Sequence, residues 1–278
     1  MKASKYQQQI YDWAQGDNGS SRVMAVAGSG KTSTLVELSG KVSGNVLFCA
    51  FNKHIERELS SRLPDEVSCR TIHSLGLQAI KFAIGYTELD KDKYTKICGK
   101  LVTDMAKRYR SKKKQKSDLI TGPYRIRKAL EDLSTMCMTT LTDPSDYKSL
   151  REMCRRYCIE IPRPQREEFF ELVPKVVKKG ISRTELGEIG FVDMLYYPAS
   201  TGLKMKRHDW VLVDEAQDLS ASQLAVVMGS LGPGGRIVAV GDKMQSLYGF
   251  SGADPWSFNR VGKAVDAEDL PLSICYRC

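Results

Sequence analysis

Short, continuous apolar runs punctuate both ends of the chain and vanish from its middle. Near the amino terminus they fall at residues 23–27 and 45–51, the second bounded by Gly44 and Asn52; residues 69–74 read as a further short strand leading into a helix. Toward the carboxyl end they fall at 210–213 and 236–240. Runs of this length without polar alternation are the pattern of buried parallel strands. Helical spacing fills the gaps. Tyr6, Ile10, Trp13 and Ala14 share one helical face, with Ser4 placed to cap it. Further helices are expected from about Lys31 to about Lys41, after Asn52, and from about Leu75 to Ala83. Strand and helix alternating in this way predict a parallel sheet, with ligands bound at the carboxyl ends of its strands.

From about Gly85 to Glu188 helical periodicity dominates and strand-like runs are missing. Pro162, Pro164 and Pro174 punctuate its later helices. The expected layout is therefore an α/β domain in two parts, residues 1–84 and 190–278, interrupted by a mainly α-helical domain at residues 85–189. Charge separates these parts further. The chain has 278 residues and a net charge of +9, and about two dozen Lys and Arg against about sixteen Asp and Glu fall in the helical stretch. Its densest basic run, residues 107–116, reads either as a solvated segment or as one that contacts phosphates. A basic balance suits a polyanionic partner such as nucleic acid. No apolar run approaches the ~18 residues of a membrane span, and no apolar segment follows Met1, so neither a membrane partner nor secretion is expected. The eight cysteines are scattered, with only Cys154/Cys158 and Cys275/Cys278 close together. Neither pair has a second pair at zinc-ribbon spacing, so reduced thiols are expected.

Candidate chemistry lies where the strands end. The loop from Ala25 to Thr32 reads AVAGSGKT, a phosphate-binding pattern. Gly28 and Gly30 allow a tight turn with N–H groups pointing inward, Lys31 reaches phosphate oxygens, and the Thr32 hydroxyl suits Mg²⁺. Ala25 stands where the general pattern has its first glycine. The apolar run 210–213 ends in Asp214 and Glu215. Paired carboxylates there suit nucleotide hydrolysis, Asp214 holding Mg²⁺ and Glu215 orienting and deprotonating the attacking water. After the run 236–240, Gln245 is placed to sense a γ-phosphate or its water, and Tyr248 and Phe250 read either as core or as base-stacking rings. His73, taken alone, reads as structural.

With these motifs in order, the chain resembles the UvrD/Rep-type superfamily 1 DNA helicases over about residues 4–84 and 190–278. The resemblance implies a RecA-like P-loop NTPase fold with a helical insertion. It makes Ala25 the family form of the loop, with Ala27, Gly28, Ser29, Gly30, Lys31, Thr32 and Ser33 at the nucleotide, although some relatives carry arginine at the Ser33 position. Gln7, with Gln8 as the alternative, matches the glutamine that reads adenine. Phe51, Asn52 and Lys53, and then Thr71 and His73, match segments that contact single-stranded DNA. Asp214 to Asp218 match DEAQD, and residues 241–254 match the stretch bearing Gln245, Tyr248 and Phe250, with Ser251 in place of the usual arginine. Tyr276 and Arg277 match a pair that stacks on adenine and supplies an arginine finger. Phe191 to Pro198 resemble a segment before the acidic strand and read equally well as a core-facing helix.

The implied activity is Mg²⁺-dependent ATP hydrolysis coupled to movement on single-stranded DNA or a single/double-strand junction, in the 3′ to 5′ direction. Lys31, Asp214, Glu215, Gln245 and Arg277 form the catalytic set, and ATP and Mg²⁺ are the cofactors. Family members carry a second RecA-like domain beyond the last of these motifs, so the chain is expected to be an amino-terminal fragment with weak or no activity in isolation. The competing readings are a noncatalytic module binding single-stranded nucleic acid and the motor subunit of a helicase–nuclease. The expected location is the cytoplasm or nucleoid in a bacterium or phage, and the nucleus in a eukaryote.

Overall fold

The computed structural model describes residues 3–16, 18–112, 122–161, 166–245 and 257–276. Part of the basic run (Lys113, Lys114 and Lys116), Pro162, Pro164, Tyr248, Phe250, Ser251 and Arg277 therefore lie outside the described residues. In chain order the elements begin with α1 (Lys5–Gln15), β1 (Ser21–Ala25), α2 (Lys31–Ser39), β2 (Val46–Ala50), α3 (Lys53–Ser60), β3 (Ser68–Thr71) and α4 (Ile72–Ile84). Then come β4 (Glu88–Leu89), α5 (Lys93–Lys112), α6 (Pro123–Thr140), α7 (Tyr147–Arg156), α8 (Arg166–Phe170), α9 (Leu172–Glu185), β5 (Glu188–Ile189) and α10 (Asp193–Thr201). The chain continues through β6 (His208–Val213), α11 (Ala221–Gly229), β7 (Leu231–Gly241), α12 (Ser257–Ala264) and β8 (Glu268–Leu272). It packs as two compact units, Met1–Ala79 with Gly202–Cys278, and Ile80–Thr201.

The first unit is a RecA-like α/β domain. Its six-stranded sheet runs β3-β2-β6-β7-β1-β8, and every adjacent pair is parallel. Alternate strand residues point to opposite faces. Val23, Phe48, Leu212 and Val240 join Ile10 and Trp13 of α1, Leu35 and Leu38 of α2 and Leu59 of α3 in one apolar cluster. The intervening positions, Leu47, Val211, Val213, Ile237 and Ala239, are equally buried. Burial on both faces explains why these strands read as unbroken apolar runs.

Strand ends depart from the pattern for physical reasons. β1 closes at Ala25, two residues before the apolar run does, because the Ser29 N–H closes a turn onto the Val26 carbonyl. β8 is a strand that the hydrophobic pattern did not announce. Glu268, Asp269 and Pro271 interrupt its apolar residues, which an edge strand tolerates and a central one does not. α4 starts directly after β3 rather than near Leu75. The Thr71 hydroxyl accepts the Ser74 N–H at 3.2 Å, and the Ser74 hydroxyl donates to the Thr71 carbonyl at 2.8 Å. His73 lies in that first turn, and burial pushes its pKa down to about 4.

The second unit is mainly helical, with a core drawn from α5, α6, α7, α8 and α9 that includes Ile97, Leu130, Leu133, Leu150, Phe169, Phe170 and Val176. It also contains strands, contrary to expectation: β4 and β5 form a parallel pair of two residues each, too short to leave a pattern in the sequence. A buried ion pair fastens them. Lys93, with no exposed surface, donates from Nζ to Asp193 Oδ2 (2.6 Å), Thr184 Oγ1 (2.7 Å) and the Glu188 carbonyl (2.8 Å). Those three acceptors use all three ammonium protons. Asp193 also accepts the Tyr94 hydroxyl on Oδ1 (2.5 Å) and the Gly190 N–H on Oδ2 (2.6 Å). Burial lowers the Lys93 pKa and Asp193 opposes that shift. Among the described residues, no helix is long and apolar enough to cross a membrane.

Removing either member of this pair strands a buried charge on the other, whereas removing both does not. Asp193→Ala and Lys93→Met are each expected to lower the unfolding free energy by about 3–5 kcal/mol in denaturant titrations of the chain, and the double variant by clearly less than the sum of the two. His73 gives a separate expectation. Its folded pKa lies below the unfolded value of 6.5, so its contribution is present above 6.5 and lost as pH falls toward about 4. Denaturant midpoints should fall more between about pH 7.5 and about pH 5 in the wild type than in His73→Gln.

Candidate nucleotide site

Strand order brings the phosphate loop and the acidic pair together. β7 separates β1 from β6, with Met24 in register with Gly241 and Val213 in register with Ala239. The loop that leaves β1, the acids that follow β6 and the turn that follows β7 thus share the carboxyl edge of three neighbouring strands, where such sheets bind ligands.

The loop itself is shaped by glycine. Gly28 and Gly30 have φ of 70° and 80°, a region costly for any residue with a Cβ. Gly30 leads into α2, whose first N–H groups have no intrahelical acceptor and give this end a positive field. The Ser29 hydroxyl is buried without a partner among the described residues. Ala27 and Ser33 are exposed. Two side chains at the start of α2 reach across to β6. Thr32 Oγ1 donates to Asp214 Oδ2 at 2.5 Å, and Lys31 Nζ lies 2.9 Å from Glu215 Oε2. A glycine-turned loop leading into a helix, a buried hydroxyl without a partner among the described residues, a lysine and a hydroxyl–carboxylate pair fit a triphosphate with a hard divalent cation.

Asp214 is almost wholly buried. Burial raises its pKa, and Glu215 adds to the rise, while the Thr32 hydroxyl, the Glu215 N–H and Lys31 act the other way. Glu215 has left-handed backbone (φ 50°), a strained conformation for a residue with a Cβ, as it leads from β6 into the 3-10 turn Ala216–Asp218. Gln217 in that turn donates from Nε2 to Glu215 Oε2 at 2.8 Å, a contact the sequence did not single out. Gln245 sits in a second 3-10 turn, Lys243–Gln245, its N–H donating to the Asp242 carbonyl at 3.1 Å. Among the described residues its side chain makes no hydrogen bond with the acid pair.

α1 and the segment after β8 reach the loop from the other side. Gln7 Nε2 donates to Thr34 Oγ1 (3.1 Å), which donates in turn to the Gly30 carbonyl (2.9 Å). Gln7 Oε1 accepts the Ser4 N–H, closing a capping box at the start of α1. Gln8 is turned to Asp12 instead, so Gln7 is the glutamine at the loop. Thr34 escaped the sequence reading because it looks like any residue of an amphipathic helix. The Tyr276 N–H donates to the Gly28 carbonyl at 2.9 Å, and its ring is half-exposed. Burial, with Glu37 and Tyr276 adding to it, pushes the Tyr11 phenol up to about 12.

Of the residues expected to contact DNA, Phe51, Asn52, Lys53, Thr71 and His73 lie at and just after the ends of β2 and β3 on the same sheet, and Tyr248 and Phe250 lie outside the described residues. Phe51 is 37% exposed. Asn52 caps α3 through Oδ1, which accepts the Ile55 N–H, and Lys53 pairs with Glu56 at 2.9 Å. Buried Glu56 also accepts the Thr71 N–H at 3.1 Å, tying the two segments together. Nothing in the hydrophobic pattern marked Glu56, which reads as one more charge on a polar helix. His73 is held in the first turn of α4, as described above.

A family model described as the UvrD/REP helicase N-terminal domain matches residues 5–266. F-box DNA helicase protein 1 of Schizosaccharomyces pombe is 24% identical over 246 residues, covering 86% of this chain and 27% of that protein. F-box DNA helicase 1 of Gallus gallus is 25% identical over 236 residues, covering 84% of this chain and 22% of that protein. The chain thus spans about a quarter of the length of these relatives. A model matched over nearly the whole chain agrees with a RecA-like sheet whose glycine loop and acid pair meet, and the chain belongs to the UvrD/REP helicase N-terminal domain family.

Proposed function

We propose that this chain is the nucleotide-binding portion of an ATP-dependent DNA helicase that moves 3′ to 5′ on single-stranded DNA. The observation that carries the reading is the double contact between α2 and the end of β6, Thr32 with Asp214 and Lys31 with Glu215. Residues that bind phosphate and residues that handle metal and water lie at hydrogen-bond distance across separate strands. In this reading Lys31 binds the β- and γ-phosphates, and Thr32 and Asp214 hold Mg²⁺, which when bound neutralises charge on the transferring phosphoryl group. Glu215 orients the attacking water and takes its proton. The amide of Gln7 faces the adenine, the Tyr276 ring stacks on it, and Arg277 supplies charge to the transition state. Gln245 reports the γ-phosphate to the segments that touch DNA: Phe51, Asn52, Lys53, Thr71, His73, Tyr248 and Phe250.

The Ile80–Thr201 unit is read as an inserted helical domain whose excess of Lys and Arg suits a nucleic-acid partner. The names of the two relatives support a DNA substrate in preference to RNA.

The test is steady-state ATP hydrolysis with and without single-stranded DNA, by this chain and by any longer protein that carries it. In the longer protein DNA should stimulate hydrolysis, and Glu215→Gln should lower kcat about 100-fold or more with little change in ATP binding. Hydrolysis indifferent both to DNA and to Glu215→Gln would defeat the motor reading and favour a noncatalytic binding module.

A further inference from the structure

We propose that Gln217 is a positioning residue for the hydrolytic step, holding the Glu215 carboxylate in place and joining it to the turn that carries Gln245. This deepens, and rests on, the ATPase reading above. The orientation of the Gln217 amide is dictated by its neighbours. Oε1 accepts the Asp242 N–H at 3.0 Å, a contact only an oxygen can make. Nε2 must then face the opposite way, where it donates to Glu215 Oε2 (2.8 Å) and Asp218 Oδ2 (3.3 Å). Carboxylates only accept, so no flipped amide satisfies both sides.

The side chain is closely fitted as well. Gln217 is 3% exposed, and a Cβ on Gly241 would lie 2.7 Å from its Oε1. The glycine that ends β7 thus gives the amide its room. From Asp242 the connection continues, since its carbonyl accepts the Gln245 N–H and its Oδ1 accepts the Met244 N–H. A line of hydrogen bonds therefore runs from Glu215 through Gln217 and Asp242 into the 3-10 turn of Gln245.

What this arrangement does follows from competition for one oxygen. Lys31 and Gln217 both donate to Glu215 Oε2. A phosphate bound by the loop draws the Lys31 ammonium toward itself, and Gln217 is then the donor that keeps Glu215 from rotating. With Oε2 held, Oε1 is the oxygen presented to a water. Because Gln217 is anchored on Asp242, a shift of the turn after β7 moves the carboxylate too.

Two isosteric replacements separate the contacts. Gln217→Met removes both, whereas Gln217→Glu keeps an acceptor for the Asp242 N–H and loses the donor to Glu215. Each is expected to lower kcat for ATP hydrolysis by about 10- to 100-fold, with KM for ATP changed less than about twofold. In the Glu215→Gln background, Gln217→Met should cost almost nothing further, because the group it positions has lost its role. Wild-type kcat in Gln217→Glu would overturn the inference. So would a full additional loss in the double variant, or a parallel fall in kcat, ATP affinity and melting temperature, which marks a purely structural residue.

A readout without turnover separates this inference from the ATPase reading. The Gln217 side-chain amide protons, observed by ¹⁵N NMR, should be dispersed and slow to exchange, and in Glu215→Ala they should shift and exchange faster, with the contacts to Asp218 and Asp242 left in place. Protons averaged as in a free glutamine would overturn the inference whether or not the wild type hydrolyses ATP, and absent hydrolysis by a longer protein that carries the chain would count against the ATPase reading.

Discussion

Two carboxylates at adjacent positions at the edge of a buried sheet are an electrostatic liability, and much of the first unit is arranged around managing it. Burial and its neighbour both push the Asp214 pKa up. The Thr32 hydroxyl, the Glu215 N–H and Lys31 pull the other way, and the positive end of α2 lies beside them. A bound divalent cation adds to the same side of the balance, since it favours the charged form. Both balancing side chains come from the first turn of α2, so the liability is met only where the glycine loop delivers that helix to the end of β6. The strained backbone at Glu215 belongs to the same arrangement, because left-handed φ turns the chain sharply out of the strand.

Strand order is what makes the meeting possible. β1 and β6 lie far apart in sequence yet flank β7, and the parallel register keeps their carboxyl ends level. Pieces from the rest of the chain then converge on one loop: Gln7 from α1 through Thr34, and Tyr276 from beyond β8 through the Gly28 carbonyl. The second unit solves a similar problem by other means. There a buried lysine and a buried aspartate are satisfied by each other and by Thr184, Tyr94 and backbone groups. That pair joins residues 100 apart in sequence, close to the short β4–β5 pairing.

The sheet was legible in the sequence because strands buried on both faces cannot hide their apolar runs, and the glycine loop because few sequences turn so tightly before a helix. β8 was not, since its edge position permits the acids and proline that mask it. β4 and β5 are too brief to show any period. At the site, Lys31, Thr32, Asp214 and Glu215 announced themselves by residue type and position. Gln217, Thr34 and Glu56 did not, because their importance lies in what they touch across the fold. The residues expected to contact DNA show a further limit of motif reading: Asn52, Lys53 and Thr71 each hold local structure, as a cap, an ion pair and a turn.

The central claim is that α2 and the end of β6 form one site for a nucleotide and its cation. Calorimetric titration of ATP into the chain, with Mg²⁺ and with Mg²⁺ chelated, tests it most directly. The account predicts binding that strengthens with Mg²⁺, with Lys31→Ala weakening it by about tenfold or more and Asp214→Asn abolishing the Mg²⁺ dependence. Affinity that ignores Mg²⁺ and is the same in both variants would contradict it.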